Sequence, residues 1–111
     1  MRTALIYRDG ILAGKLIEEN TGENYIFVYD DLYFFDSTMP AISLTLPKTQ
    51  KEYRSRYLFP FFFNIISEGV NRDLQSKQLQ IDEDDSFGLL MATAQFDTIG
   101  AITVKPQKDD D

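Results

Sequence analysis

Arg8-Asp9-Gly10 lies between two apolar runs, Ala4-Leu5-Ile6-Tyr7 and Ile11-Leu12-Ala13-Gly14-Lys15-Leu16-Ile17, and this arrangement narrows the fold more than any other stretch of the chain. A tight I′ turn needs positive φ at both central positions, which Asp and Gly tolerate and bulky residues do not. The chain is therefore expected to open with a β-hairpin. Asn20-Thr21-Gly22-Glu23-Asn24 reads as a second turn. Tyr25-Ile26-Phe27-Val28-Tyr29 after it is dense in aromatic and β-branched residues, as a buried third strand would be. The product is a three-stranded antiparallel meander.

Beyond Asp30-Asp31, Leu32 to Thr38 reads as irregular or as one helical turn. Met39 to Pro47 alternates Ile42, Leu44 and Leu46 with Ser43 and Thr45 between Pro40 and Pro47, which predicts a short extended segment at a sheet edge, buried on one face. Polar Lys48 to Arg56 is expected to be a flexible loop. Pro60 is suited to the first position of a helix running to Ile66, with Ser67-Glu68-Gly69 as its break. A second helix is expected over Val70 to Gln80. Phe87, Leu90, Met91 and Ala94 fall at the i, i+3, i+4, i+7 spacing of a third helix, with Asp82-Glu83-Asp84-Asp85 where its N-terminal N–H groups favour anions. Ile99 to Val104 reads as a closing strand. Strand patterns followed by helical ones predict an α+β fold, in which a small antiparallel sheet of the hairpin, the third strand and the C-terminal strand packs against about three short helices. With 111 residues, 43% of them apolar, a single domain over residues 1–105 and an acidic tail over 106–111 are expected.

The chain has no His and no Cys, so the commonest general base, the commonest metal ligand and the thiol nucleophile are all missing. Gly10 to Leu16 has one residue too few between its glycines for a phosphate loop and no Ser or Thr after Lys15. The Asp82 run resembles a calcium loop in charge only, with Phe87 where the turn glycine belongs and Thr93 where a bidentate Glu would stand. No cofactor, no metal and no catalysis are expected. A net charge of −7 argues against direct nucleic-acid binding. No stretch is long and apolar enough for a signal peptide or a membrane span, which predicts a cytoplasmic protein.

Phe59 to Ile66 packs four Phe and two Ile into eight positions. Either all of this is core of an aromatic-rich domain, or part stays outside and serves a partner.

Taken in order, Tyr7-Arg8-Asp9-Gly10, Ala13-Gly14-Lys15-Leu16, Leu44-Thr45-Leu46-Pro47, Phe61 to Gly69, Phe87-Gly88-Leu89-Leu90 and Ile99 to Val104 resemble the N-terminal subdomain of HipA-type toxin kinases over nearly the whole chain. The resemblance implies a subdomain that precedes the catalytic lobes of a serine/threonine kinase and holds no ATP site. In free-standing form it is similar to the HipS-like antitoxins of tripartite systems, whose partners are a HipT or HipA-like kinase and a HipB-like DNA-binding protein. It implies a partner-binding surface of Phe61, Phe62, Phe63, Ser67, Glu68, Gly69, Val70 and Arg72, with Ser67 in place of the family's usual Pro and Val70 where a large aromatic is common. A kinase-inhibiting antitoxin, a structural subunit that completes a split kinase or links it to a HipB-like protein, and an unrelated small-molecule binder or enzyme are the three functional expectations.

Overall fold

Five strands hydrogen-bond into one antiparallel sheet in the order β4-β3-β2-β1-β5. The computed structural model describes residues 1–20, 22–69, 85–93 and 102–107, with the backbone alone at 65–69 and 92–93. In chain order the elements are β1 (Arg2–Arg8), β2 (Ile11–Asn20), β3 (Glu23–Tyr29), α1 (Asp31–Phe35), β4 (Glu52–Ser55), α2 (Pro60–Gly69), α3 (Ser86–Thr93) and β5 (Ile102–Pro106). The fold is α+β, as the sequence pattern predicts. The helix expected over Val70 to Gln80, most of the acidic run before Asp85, Ala94, and Ile99 to Ala101 lie outside the described residues.

The hairpin forms for the reason its sequence gives: Asp9 and Gly10 both adopt positive φ, at 52° and 80°. Ile6 pairs with Gly14 and Tyr7 with Leu12, so Ala13 is the extra residue of a β-bulge. Its carbonyl, freed from the ladder, accepts the Asp30 N–H at 2.8 Å where β3 ends and the chain turns into α1. Ala4, Ile6, Leu16, Tyr25, Phe27, Tyr29, Ile102 and Val104 bury one face of the sheet against Phe59, Phe62, Phe87, Leu89 and Leu90. The expected helical stripe beginning at Phe87 is wider than its spacing implies, because Leu89 is buried as well.

Three expectations are corrected. The polar stretch Lys48 to Arg56 contains β4, which pairs with β3 through Tyr25 and Ser55, Ile26 and Arg54, and Phe27 and Tyr53. It is an edge strand, whose charged residues hide the period-two signal and also discourage pairing with other chains. Met39 to Pro47 is not extended at the sheet edge but folded into turns. Ile42 and Leu46 are buried and Leu44 is 99% exposed, whereas a strand would put all three on one face. The Ser43 hydroxyl accepts the Thr45 N–H at 3.2 Å, and the Leu46 N–H donates to the Ser43 carbonyl at 3.1 Å, so local bonds take the place of a ladder. Finally, Ser67-Glu68-Gly69 does not break α2 but forms its last turn. At the C-terminal end, β5 runs past residue 105 to Pro106, and the Gln107 N–H donates to the Thr3 carbonyl at 2.9 Å.

Tyrosine hydroxyls hold the long connection after α1. Tyr29 donates to the Leu46 carbonyl and accepts the Ile42 N–H at 3.2 Å. Tyr33 donates to the Pro40 carbonyl at 2.6 Å, and Tyr53 donates to that of Pro47. Burial pushes the Tyr29 phenol up to about 12, so it stays protonated across the physiological range. The Lys48 ammonium closes the loop from outside, donating to the Asp36 and Met39 carbonyls at 2.7 and 2.8 Å.

Gly14 is the position where the sheet tolerates no side chain. A Cβ there would stand 2.4 Å from the Val28 carbonyl oxygen and 2.9 Å from the Phe27 ring. Gly14→Ala is expected to lower stability by about 2 kcal/mol through overpacking, measurable by denaturant unfolding, with the fold retained by circular dichroism.

Candidate docking surface

α2 begins where Pro60, which has no N–H to leave unpaired, follows Phe59, whose carbonyl accepts from Phe62 and Phe63 at 3.0 and 3.1 Å. The helix then divides its aromatic run by face. Phe62 is fully buried, with its ring centroid 5.9 Å from Phe27 and 6.3 Å from Phe59. Phe61 is half-buried and meets the Phe62 ring edge-on at 5.1 Å. Phe63 is 42% exposed and shares the outward face with Pro60 and Asn64, at i, i+3 and i+4. Tyr57, just before the helix, is 67% exposed. The run is therefore not all core: Phe59 and Phe62 are buried, while Phe63 and part of Phe61 lie at the surface.

Of the residues implied as partner contacts, Phe61 and Phe63 lie on accessible surface. Phe62 does not, because the helical turn carries it into the core, where it supports its neighbours. Ser67, Glu68 and Gly69 belong to the last turn of α2. Val70 and Arg72 lie outside the described residues.

α2 packs against α3, and α3 is fastened to the sheet by a charge network that no sequence motif announces. Glu18 is 2% exposed, and both of its oxygens are engaged. Oε1 accepts Arg2 Nε at 2.7 Å and lies 2.6 Å from Arg2 Nη2. Oε2 accepts the Tyr25 hydroxyl at 2.9 Å and the Gly22 N–H at 3.1 Å. Arg2 then reaches Asp85 with Nη2 to Oδ1 at 2.8 Å and Nη1 to Oδ2 at 3.1 Å. Asp85 caps α3 through the Gly88 N–H, and the Arg2 guanidinium lies 5.1 Å from the Phe87 ring centroid. The Asp85 hydrogen bonds raise the Arg2 pKa further above its ordinary value, while burial and the bond to Glu18 push the Tyr25 phenol up. The guanidinium in turn holds the Asp85 carboxyl below its usual range.

A shallow pocket of ≈ 250 Å³ opens between β3 and β4 beside Glu19, Arg54 and Arg56. Its two cations are engaged, Arg54 with Glu52 at 2.7 Å and Arg56 with Glu23 at 3.7 Å. Among the described residues no group of three or more Asp or Glu is placed to hold a metal ion. No described helix is long and apolar enough to cross a membrane.

A sheet lined with helices on one face and an aromatic helix turned partly outward define a small α+β domain. The model of the HipA N-terminal domain family matches residues 4–105, and the chain belongs to that family. It is 28% identical to an uncharacterized protein of Haemophilus influenzae, over 97% of this chain and 95% of that protein. It is 24% identical to a protein of Sinorhizobium fredii provisionally named as a kinase, over 96% of this chain but 25% of that protein. A solved N-terminal domain of the HipA toxin superposes with a TM-score of 0.72, covering 99% of this chain and 96% of that one at 23% identity, which shows the shared fold.

The charge network makes a pH prediction. Because the folded-state pKa of Asp85 is depressed, its contribution is present above the unfolded-state value and is lost as pH falls through the folded one. Wild-type stability is expected to fall as pH drops below about 4. Asp85→Asn, which keeps a capping oxygen but loses the charge, is expected to cost about 1 kcal/mol at neutral pH and to flatten that acid dependence. Urea unfolding of both proteins between about pH 7 and about pH 3 checks it.

Proposed function

We propose that this chain is an antitoxin that binds a HipT- or HipA-like serine/threonine kinase in the cytoplasm and holds it inactive. One observation carries the reading: the family's aromatic segment forms α2, and α2 turns Phe63 and part of Phe61 away from the core. The Haemophilus influenzae relative supports a free-standing role, since this domain accounts for 95% of that protein. In this reading Phe61 and Phe63 are the apolar anchors, with Ser67, Glu68 and Gly69 at the end of α2 and Val70 and Arg72 beyond it at the edge of the contact. Charged groups around an apolar centre give direction, and the desolvated rings give most of the affinity. The chain needs no catalytic group, metal or nucleotide of its own for this work.

The Sinorhizobium fredii protein favours a second reading. There the domain occupies a quarter of a longer chain named as a kinase, so the same fold can serve as part of a kinase rather than as its inhibitor. On that reading this protein completes a split kinase, or links it to a HipB-like DNA-binding partner, without blocking it.

Phosphoryl transfer by the partner kinase, measured with and without this chain, separates the two. Loss of activity on addition supports the antitoxin; unchanged or increased activity in a stable complex supports the structural subunit. Phe63→Asp is expected to weaken binding by about 2 kcal/mol or more while leaving the circular dichroism spectrum unchanged. A folded Phe63→Asp variant with wild-type affinity and wild-type neutralisation would place the contact elsewhere.

A further inference from the structure

The face of the sheet turned away from the helices is not the polar surface that a solvated antiparallel sheet presents. On β1, β2 and β3 it carries Leu5, Tyr7, Leu12, Ile17, Ile26 and Val28, each next in sequence to a residue of the core. Ladder pairing joins them into one patch. Tyr7 stands opposite Leu12 and Ile17 opposite Ile26, while Lys15 has Leu5 on one side and Val28 on the other. None of the six belongs to the hydrophobic core or to the apolar residues packed around it. Ile26, which lines the pocket beside Glu19 and Arg54, is 8% exposed, and the other five are partly exposed.

The charges on this face are few and ordered. Alternation along the strands places Lys15, Arg54 and Lys105 there against Glu19 and Glu52, although the whole chain carries −7. The acidic excess therefore lies elsewhere, and this face is close to neutral. Arg54 bonds Glu52 at 2.7 Å, and the Lys105 ammonium lies 5.2 Å from the Tyr7 ring centroid. Lys15 and Glu19 are both exposed, and among the described residues neither has an ion-pair partner. They do not serve each other, because four residues of strand hold their Cα atoms about 13 Å apart. Ile17 lies midway between them.

We infer that this face is an interface between two copies of this chain, packed sheet to sheet about a two-fold axis that crosses the strands at Ile17 and Ile26. Rotation about that axis exchanges positions 15 and 19. Each Lys15 then meets the Glu19 of the second copy, with Ile17 and Ile26 of both copies between the two ion pairs. The same rotation keeps the strands of the two sheets aligned, an ordinary arrangement of packed sheets. The charges choose the occupant: a uniformly acidic or basic partner would oppose one of the two free groups, whereas a second copy answers both. Arg54, next in the row after Ile26, stays bonded to Glu52 at the rim. Because α2 lies on the other side of the sheet, the dimer leaves it outside the interface, and the inference stands apart from the proposed function.

The test uses the full chain and no partner. Sedimentation of the wild-type protein is expected to show the mass of one chain at about 1 μM and of two chains by about 100 μM. A single-chain mass at about 500 μM overturns the inference outright. Lys15→Glu and Glu19→Lys, each shown to be folded by circular dichroism and melting temperature, are expected to weaken the dimer by about tenfold or more. The first makes the chain more acidic and the second less so, so weakening by both is not an effect of net charge. The double variant, Lys15→Glu with Glu19→Lys, is expected to return to within about threefold of wild type. A dimer that neither single variant weakens, or that the double variant fails to restore, overturns the proposed pairing. A wild-type chain that stays single but loses affinity for a purified kinase partner on Lys15→Glu overturns it in favour of that partner as the occupant.

Discussion

A buried carboxylate sets the terms for one half of this protein. Glu18 lies almost wholly out of water, and a charge in that position is tolerable only when every lone pair is answered. Arg2, Tyr25 and the Gly22 N–H answer it from β1, β3 and the turn between β2 and β3. Leaving such a group without its cation costs on the order of 3–5 kcal/mol, so the position of Arg2 is fixed by Glu18. Once fixed, the other side of the guanidinium fork faces Asp85, and Asp85 caps α3. The placement of α3 therefore descends from a charge on the sheet. Phe87 below the guanidinium, with Tyr25 6.1 Å away, makes the junction apolar as well as ionic.

The other half is organised by hydroxyl groups. Tyr29, Tyr33 and Tyr53 each spend a ring in packing and a hydroxyl on a carbonyl of the turn-rich connection. Such a connection carries carbonyls with no ladder partner, and a buried one left unpaired would be destabilising. Tyrosine suits the task because one side chain fills volume and supplies the donor. The rings of Tyr29 and Tyr33 stack with 6.0 Å between centroids, so the two anchors also hold each other. The consequence is a long connection pinned to the core at Ile42 and Leu46, although it has no regular structure.

These two halves explain what was legible in the sequence. Asp9-Gly10, the aromatic strand at Tyr25 and the helix at Phe87 are local patterns, each set by residues within a few positions of one another. Glu18 and Asp85 are different: Asp85 is 83 positions from Arg2, and a long-range ion pair leaves no local period. Glu18-Glu19 at the end of an apolar strand reads as solvated sequence, whereas in the structure Glu18 continues the inward face of Leu16. β4 was hidden for the opposite reason, since its polar residues are right for an edge strand but carry too little apolar alternation to reveal one. In the connection after α1 the sequence shows Ile42, Leu44 and Leu46 as equals, and only the hydroxyls of Ser43 and the tyrosines separate Leu44 from the other two. The α2 segment was legible as a surplus of aromatic surface, but helical phase, read from the Pro60 start, decides that Phe62 goes inward and Phe63 outward.

Rigidity and exposure together bear on function. A domain that had to reshape itself around a partner would place its apolar contact groups on weakly held loops, and much of the binding energy would be spent on ordering them. Here Phe63 rides on a helix seated by Phe62 against Phe27, and Leu44 stands on a turn fixed by Tyr29. In both places a buried aromatic residue immobilises the exposed apolar one beside it. The aromatic content of the chain, 14%, is thus used twice, as core and as the mounting for exposed apolar groups. A small domain built this way can hold such groups without losing its own fold when they are uncovered. That is a requirement for any subunit that must persist alone before it meets its partner.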